Sequence, residues 1–275
     1  MLTQKPVTEL LDAFSSPDPT PGGGSAAALA GAMGAALLAM VAGLPKTRTG
    51  APEERTALDA ARTDLVRFQK RLTELVDRDT AAYDLVVAAY KKPKSTDEEK
   101  AARQRAIQDG MRAATEVPLE TMQASLDALR AAHAVATHGN PSALSDVSVG
   151  AHLLMSALSG AMLNVGVNIG SLKDAAVADR IKHDVVQTLK ASSEATRVIF
   201  TSEPVAELTR DVQTKLGLPL QAPPSPEQFH AGMTEMLRRL GTEEARKALE
   251  ALATSPTASM RDAAMAALGR FSSGG

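Results

Sequence analysis

The chain has 275 residues, 44% apolar and 23% charged, with a formal net charge of −2, which is the composition of a soluble globular protein and excludes wholesale disorder. That charge supplies no bulk positive field for nucleic acid or acidic membranes, and seven aromatics without Trp leave little to stack unpaired bases on. Cysteine is absent, which removes disulfides, thiolate catalysis and Cys-ligated zinc, and fits a reducing cytoplasm.

The first residues carry Lys5, Glu9 and Asp12 and form no apolar signal-peptide run. Two uncharged stretches follow, Gly22–Leu44 and Val147–Leu172. Each reaches the length of about 20 residues that spans a bilayer. Both are diluted by Ala, Gly, Ser and Asn, and their neighbours are amphipathic and charged. They are expected to be two buried helices at the centre of an all-helical protein rather than membrane spans. Between them, 53–91 shows a heptad-like stripe with Leu65, Leu72 and Val86 on one seam and Phe68, Leu75, Ala82 and Ala89 on its companion. Thr96 with Glu99 is a capping-box pattern that opens a helix running towards Thr137, with a kink expected at Pro118. Gly139-Asn140-Pro141 reads as a stop, a cap and a first-turn proline. A further single helix is expected from about Asp174 to Lys215. The proline-rich 216–226 segment reads as a linker, which divides the chain into domains 1–215 and 227–275. Beyond it, 227–240, 242–253 and 259–271 predict three short helices, the last two resembling one HEAT-type hairpin. A single such repeat cannot bury its own face and needs something to dock on.

Asp79 is the most informative position. It falls in the seven-residue series of Leu65, Leu72 and Val86, where an unpaired carboxylate is expensive. Such a group must be paired or protonated, and burial raises its pKa towards what a general acid needs near neutral pH. The competing reading is a structural ion pair with a Lys or Arg of a neighbouring helix. Asp77 and Asp84 lie off the stripe and read as solvated charges. In the second uncharged helix Asp146, Gly150, Leu153, Ala157, Gly160 and Asn164 share a face, and Asn168 lies one turn further on. Its small residues admit a close helix or a flat ligand, and its amides need partners. Asp146 and Asn164 stand about 27 Å apart along a straight helix and cannot grip the same ligand atom. Gly22, Gly23, Gly24 and Ser25 precede the Ala-rich helix, where backbone N–H groups can face an anion, though no phosphate-loop or dinucleotide fingerprint is present. Lys46, Arg48, Lys91, Lys92 and Lys94 close helices and are placed to receive an acidic substrate tail. The five histidines show no metal-ligand spacing.

Taken in order, Thr20-Pro21-Gly22-Gly23-Gly24-Ser25, Leu75-Val76-Asp77-Arg78-Asp79, Ala88-Ala89-Tyr90-Lys91-Lys92-Pro93-Lys94, Val117-Pro118-Leu119, Gly139-Asn140, Ser145-Asp146, and Asn164 to Asn168 with Ser171-Leu172-Lys173-Asp174 resemble the cyclodeaminase domain of formiminotransferase-cyclodeaminase and its stand-alone cyclohydrolase relatives. The resemblance covers roughly residues 1–205. It implies an all-α, dimeric folate enzyme with Asp79 as proton donor and with Gly22, Gly23, Gly24, Ser25, Ser145, Asp146, Asn164 and Asn168 at the substrate. After Asp79 the family's Asp-Ala-Glu-Ala-Phe becomes Asp79-Thr80-Ala81-Ala82-Tyr83 here.

The expected protein is therefore a cytoplasmic bundle of long helices with a small C-terminal appendage, forming a homodimer. Its expected substrate is a tetrahydrofolate with a one-carbon unit between N5 and N10, hydrolysed from the methenyl to the 10-formyl form or cyclodeaminated from the formimidoyl form. No metal, redox cofactor, nucleic acid or membrane is expected. A second partner surface is expected because Ala27, Gly31 and Gly34 need a close neighbour. The altered residues after Asp79 and the HEAT-like tail favour an alternative, a non-catalytic helical folate-binding or assembly protein.

Overall fold

A computed structural model describes residues 1–217, 226–240, 243–255 and 257–271. Among these there is no β-strand. The helices are α1 (Val7–Ser15), α2 (Gly23–Ala42), α3 (Pro52–Tyr90), α4 (Asp97–His138), α5 (Leu144–Ile169), α6 (Ala175–Phe200), α7 (Glu203–Lys215), α8 (Pro226–Leu240), α9 (Glu243–Leu252) and α10 (Ala258–Phe271). By contacts the chain divides into two compact units, residues 1–181 and 182–275.

The first unit is built around α2, which is buried against α3, α4 and α5. The expected seam of α3 forms its main wall, with Leu58, Leu65, Leu72 and Leu75 fully buried. Phe68 departs from the pattern; it is only half-buried, with the Arg67 guanidinium over its ring. Pro52 occupies the first turn of α3, where its missing N–H costs nothing. The capping box at Thr96 and Glu99 is present at the start of α4. Below α2, the buried Glu54 carboxylate organises the 45–51 loop by accepting from Thr47 Oγ1 (2.6 Å), Thr49 N (2.9 Å) and Gly50 N (3.1 Å). The hydrogen bond from Thr47, followed by that from Thr49, holds this carboxyl at about 2.

Ala27, Gly31 and Gly34 do have a close neighbour, but it is α5 of the same chain rather than a second subunit. A Cβ at Gly34 would lie 2.6 Å from Gly150 O, and one at Gly31 would lie 3.1 Å from Ala157 Cβ. A Cβ at Gly160 would lie 3.3 Å from Ala27 Cβ. The small-residue faces read from the two uncharged stretches are thus the two halves of one intrachain seam. Both helices are long and apolar enough to cross a bilayer, and this seam buries much of their apolar surface within protein. The single helix expected over 174–215 is two, because Pro204 cannot donate a backbone N–H and the chain turns at Thr201-Ser202 to start α7.

In the second unit Val186 of α6 joins Leu237, Ala245, Ala248, Leu249 and Ala267 in one core, with Leu252 and Leu268 against it. The short C-terminal helices therefore bury their apolar faces on one another and against α6 at Val186. The expected linker lies mostly outside the described residues, at 218–225.

Replacing Gly34 by Ala drives a methyl into a backbone carbonyl of α5, an overpacking expected to cost about 1–3 kcal/mol in denaturant melts. At Gly166, where nothing lies within 4 Å, Ala is expected to be neutral or to stabilise by up to about 1 kcal/mol. Equal effects at the two sites would contradict the seam.

Candidate active site

Where α2 begins, the chain opens a cavity of about 300 Å³ lined by Pro19, Thr20, Gly22, Gly23, Gly24, Asp79, Tyr83, Val86, Met111, Ala114, Asn164 and Asn168. Four segments meet there: the glycine-rich entry to α2, the last third of α3, the middle of α4 and the end of α5. Asp79 is its carboxyl group. The seam that carries Leu72 and Leu75 into the core also carries Asp79 inward, one turn further along.

The carboxyl sits against the first turn of α2, whose N-cap, Gly22, offers no side chain. Asp79 Oδ2 accepts from Ser25 Oγ at 2.9 Å, and the carboxyl also takes a hydrogen bond from the Ser25 backbone N–H, so Asp79 caps α2 from outside the helix. A Cβ at Gly24 would lie 2.1 Å from Asp79 Oδ1, hence only glycine allows this approach. Burial pushes the Asp79 carboxyl above its ordinary value, and the hydrogen bonds from Ser25 oppose that shift. No Lys or Arg among the described residues pairs with it. The ion-pair reading of Asp79 gives way to a carboxyl held by a hydroxyl and a helix N-terminus.

Asn164 and Asn168 reach the same cavity, and each gives one of its two amide N–H donors to a backbone carbonyl. Asn164 Nδ2 donates to Gly160 O at 2.9 Å, and Asn168 Nδ2 to Ala114 O at 2.7 Å. The second bond has a specific cause. Ala114 O is the carbonyl that the residue at 118 would satisfy in a regular helix, and Pro118 has no N–H to give. Asn168 supplies the missing donor across the α4–α5 interface, and α4 continues through the proline.

Ser25 is placed differently from expectation. It is fully buried and does not line the cavity; it contacts Asp79 and Thr80 instead of a ligand. Ser145 and Asp146 start α5, at the far end from Asn164, and do not join this cavity either. Lys46 and Arg48 line a separate cavity of about 350 Å³ with Arg55 beyond the C-terminus of α2. The length of α2 puts them roughly 30 Å from Asp79. Lys91, Lys92 and Lys94 lie about 17–20 Å from it, past the end of α3. Asp77 is no solvated charge: it accepts from Leu2 N and from Thr3 Oγ1 (2.6 Å) and ties down the N-terminal turn. Sequence reasoning missed Tyr83, Met111 and Ala114. Tyr83 had a usable signal, one turn beyond Asp79 on the same face; the two α4 residues had none. No three His, Cys, Asp or Glu side chains cluster among the described residues.

Comparison with known proteins bears on this geometry. The family described as formiminotransferase-cyclodeaminase matches residues 6–187. The methenyltetrahydrofolate cyclohydrolase of Methylorubrum extorquens is 38% identical over 179 residues, covering 65% of this chain and 86% of that protein. The formimidoyltransferase-cyclodeaminase of Rattus norvegicus is 34% identical over 184 residues, but the match spans only 34% of its length. In fold, the chain matches the crystal structure of formiminotetrahydrofolate cyclodeaminase from Thermotoga maritima with a TM-score of 0.66 at 21% identity, over 76% of this chain and 99% of that one.

Replacing Asn168 by Ala leaves Ala114 O without a donor and is expected to cost about 1–3 kcal/mol. In a Pro118→Ala background the helix supplies its own N–H, so the same replacement is expected to cost much less. Additive effects in this double-mutant cycle would refute the assignment.

Proposed function

We propose that this chain, which belongs to the formiminotransferase-cyclodeaminase family, acts on a tetrahydrofolate carrying a one-carbon unit between N5 and N10. The observation that carries the reading is Asp79: a carboxyl of raised proton affinity, without a cationic partner, on the wall of a cavity of about 300 Å³. Hydrolysis of the methenyl bridge to the 10-formyl form is the favoured reaction, because the cyclohydrolase relative is matched over most of its own length.

Water adds to the bridging carbon and loses a proton, which leaves a tetrahedral hydroxyl adduct. The C–N5 bond then breaks as N5 takes a proton and the adduct's hydroxyl loses one. Asp79 is the group that gives N5 its proton and is reprotonated in turn. In the cyclodeaminase version N10 attacks the formimidoyl carbon and its proton passes to the imino nitrogen; Asp79 gives that nitrogen a second proton, and the C–N bond to it breaks to release ammonia and leave the methenyl bridge. Either version needs a proton moved in an oriented, largely dry site, and neither needs a metal or a redox cofactor. A cytoplasmic setting fits the absence of cysteine.

A homodimer is part of the proposal. Its support is now the outer faces of α2 and α5, where Met33, Met40, Val149, Leu163 and Val167 are exposed on adjoining helices. Sedimentation is expected to find a dimer; a fully active monomer would remove this part.

The methenyl chromophore gives the functional test. Its absorbance is expected to decay when the protein meets 5,10-methenyltetrahydrofolate and to rise with 5-formimidoyltetrahydrofolate if cyclodeamination occurs. Asp79→Asn keeps an oxygen that accepts from Ser25, so the melting temperature is expected to hold within a few degrees while turnover falls by about 10²–10⁴. Near-normal turnover in that variant would overturn the assignment. Tight folate binding by the wild type without turnover of either substrate would favour the non-catalytic alternative.

A further inference from the structure

Ser25 and Thr80 make a pair whose arrangement the proposed reaction does not by itself require. Ser25 is fully buried, so no water reaches it. Its Oγ lies 2.9 Å from Asp79 Oδ2 and 3.2 Å from Thr80 Oγ1, and in the second contact either hydroxyl is able to donate. The three groups form a short chain, carboxyl to hydroxyl to hydroxyl, with the fully buried Ser25 in the middle and the half-buried Thr80 at its end.

A hydroxyl has one proton to give and lone pairs to accept with, so such a chain has two self-consistent polarities. When Asp79 is ionised its oxygens only accept; Ser25 then donates to Oδ2, and Thr80 donates to Ser25. When Oδ2 carries a proton it must donate; Ser25 then accepts from it and turns its own proton to Thr80. In both states the Asp79 and Ser25 donors are paired, and the proton left over in the protonated state is that of Thr80, which is only half-buried. A single buried serine would not do this, because in one of the two states its proton or the carboxyl's would point at nothing, and an unsatisfied buried polar group is costly.

We propose that Ser25 and Thr80 are positioning residues forming a reversible hydroxyl pair, which lets the buried Asp79 carboxyl pass between its protonated and ionised forms without stranding a hydrogen bond. This rests on the reading of Asp79 as the proton-transfer group. It also reassigns Ser25 from a ligand contact to a residue that acts through Asp79. The direction in which the Ser25 hydrogen bonds push the Asp79 carboxyl, against the effect of burial, accords with donation to the charged form.

The test is a carbon-13 NMR titration of the Asp79 carboxyl in the full-length protein, in parallel with the pH profile of folate turnover. Ser25→Ala removes the donor to the charged form. The carboxyl is then expected to hold its proton at least about tenfold more tightly, moving its midpoint and the alkaline limb of turnover up by about one pH unit. Turnover number is expected to fall about tenfold with KM within about twofold, since Ser25 does not touch the ligand. Thr80→Val, which keeps the side-chain shape, strands the Ser25 proton only when Asp79 is protonated and is therefore expected to move the midpoint down, opposite to Ser25→Ala, and Thr80→Ser to move it less than Thr80→Val. An unmoved midpoint in both Ser25→Ala and Thr80→Val would overturn the proposal, as would a rise in KM at unchanged turnover number. The titration needs no substrate. A wild-type protein that turns over neither folate would therefore sink the functional reading, while the comparison of midpoints still decides for or against the hydroxyl pair.

Discussion

The contact on which the site depends is that of the Asp79 carboxyl with the first turn of α2. It is possible only because residue 24 has no side chain: a methyl there would overlap the carboxyl oxygen at 2.1 Å. The contact sets two tendencies against each other. Burial penalises the charge on Asp79, while the Ser25 hydroxyl and the positive end of α2 favour it. Burial prevails, so this carboxyl holds its proton more tightly than a solvated surface aspartate does. Asp79 also has a structural role, since it stands at the first turn of a helix that provides no cap of its own.

The rest of the first unit serves that contact. Close packing of α2 on α5 through Gly31, Gly34, Gly150, Ala157 and Gly160 brings Asn164 beside Gly23 at the open end of the seam. The proline in α4 frees the carbonyl that anchors Asn168 and so fixes the end of α5 against α4. The cavity is thus walled by helix termini and by a helix with a missing donor, the places where backbone groups look outward for partners. Its two asparagines are each anchored through one amide N–H, Asn164 to Gly160 O and Asn168 to Ala114 O.

Much of this was legible in the sequence, for identifiable reasons. The long helices α2 to α5 followed from apolar composition and periodicity and from the cap at Thr96, whereas α1 was not read and Asn140 caps a short turn, 141–143, ahead of α5. Asp79 stood out because a carboxylate interrupted an otherwise apolar seven-residue series. Asn164 was legible as a polar residue on a face of Gly and Ala. What was not legible depended on pairing between distant segments. The role of Asn168 is set by a proline fifty residues earlier, and only the fold reveals which carbonyl that proline leaves free. Ser25 looked like a ligand contact because it follows three glycines, yet helical geometry turns it into the core and towards α3. Ser145 and Asp146 belong to the same family resemblance as Asp79 but sit at the other end of α5, too far away to share its cavity. Lys46 and Arg48 are separated from it in the same way by the length of α2.

The account places the one-carbon centre of the folate beside Asp79, at the entry to α2. A crystal structure of the protein with 5,10-methenyltetrahydrofolate, or with a stable analogue, tests this most directly. The expected result is the bridging carbon and N5 within about 3–3.5 Å of the Asp79 carboxyl, with the ring system against Gly23 and Asn164. A ligand seated instead in the cavity formed by 45–52, with the pocket at Asp79 unaltered, would contradict it.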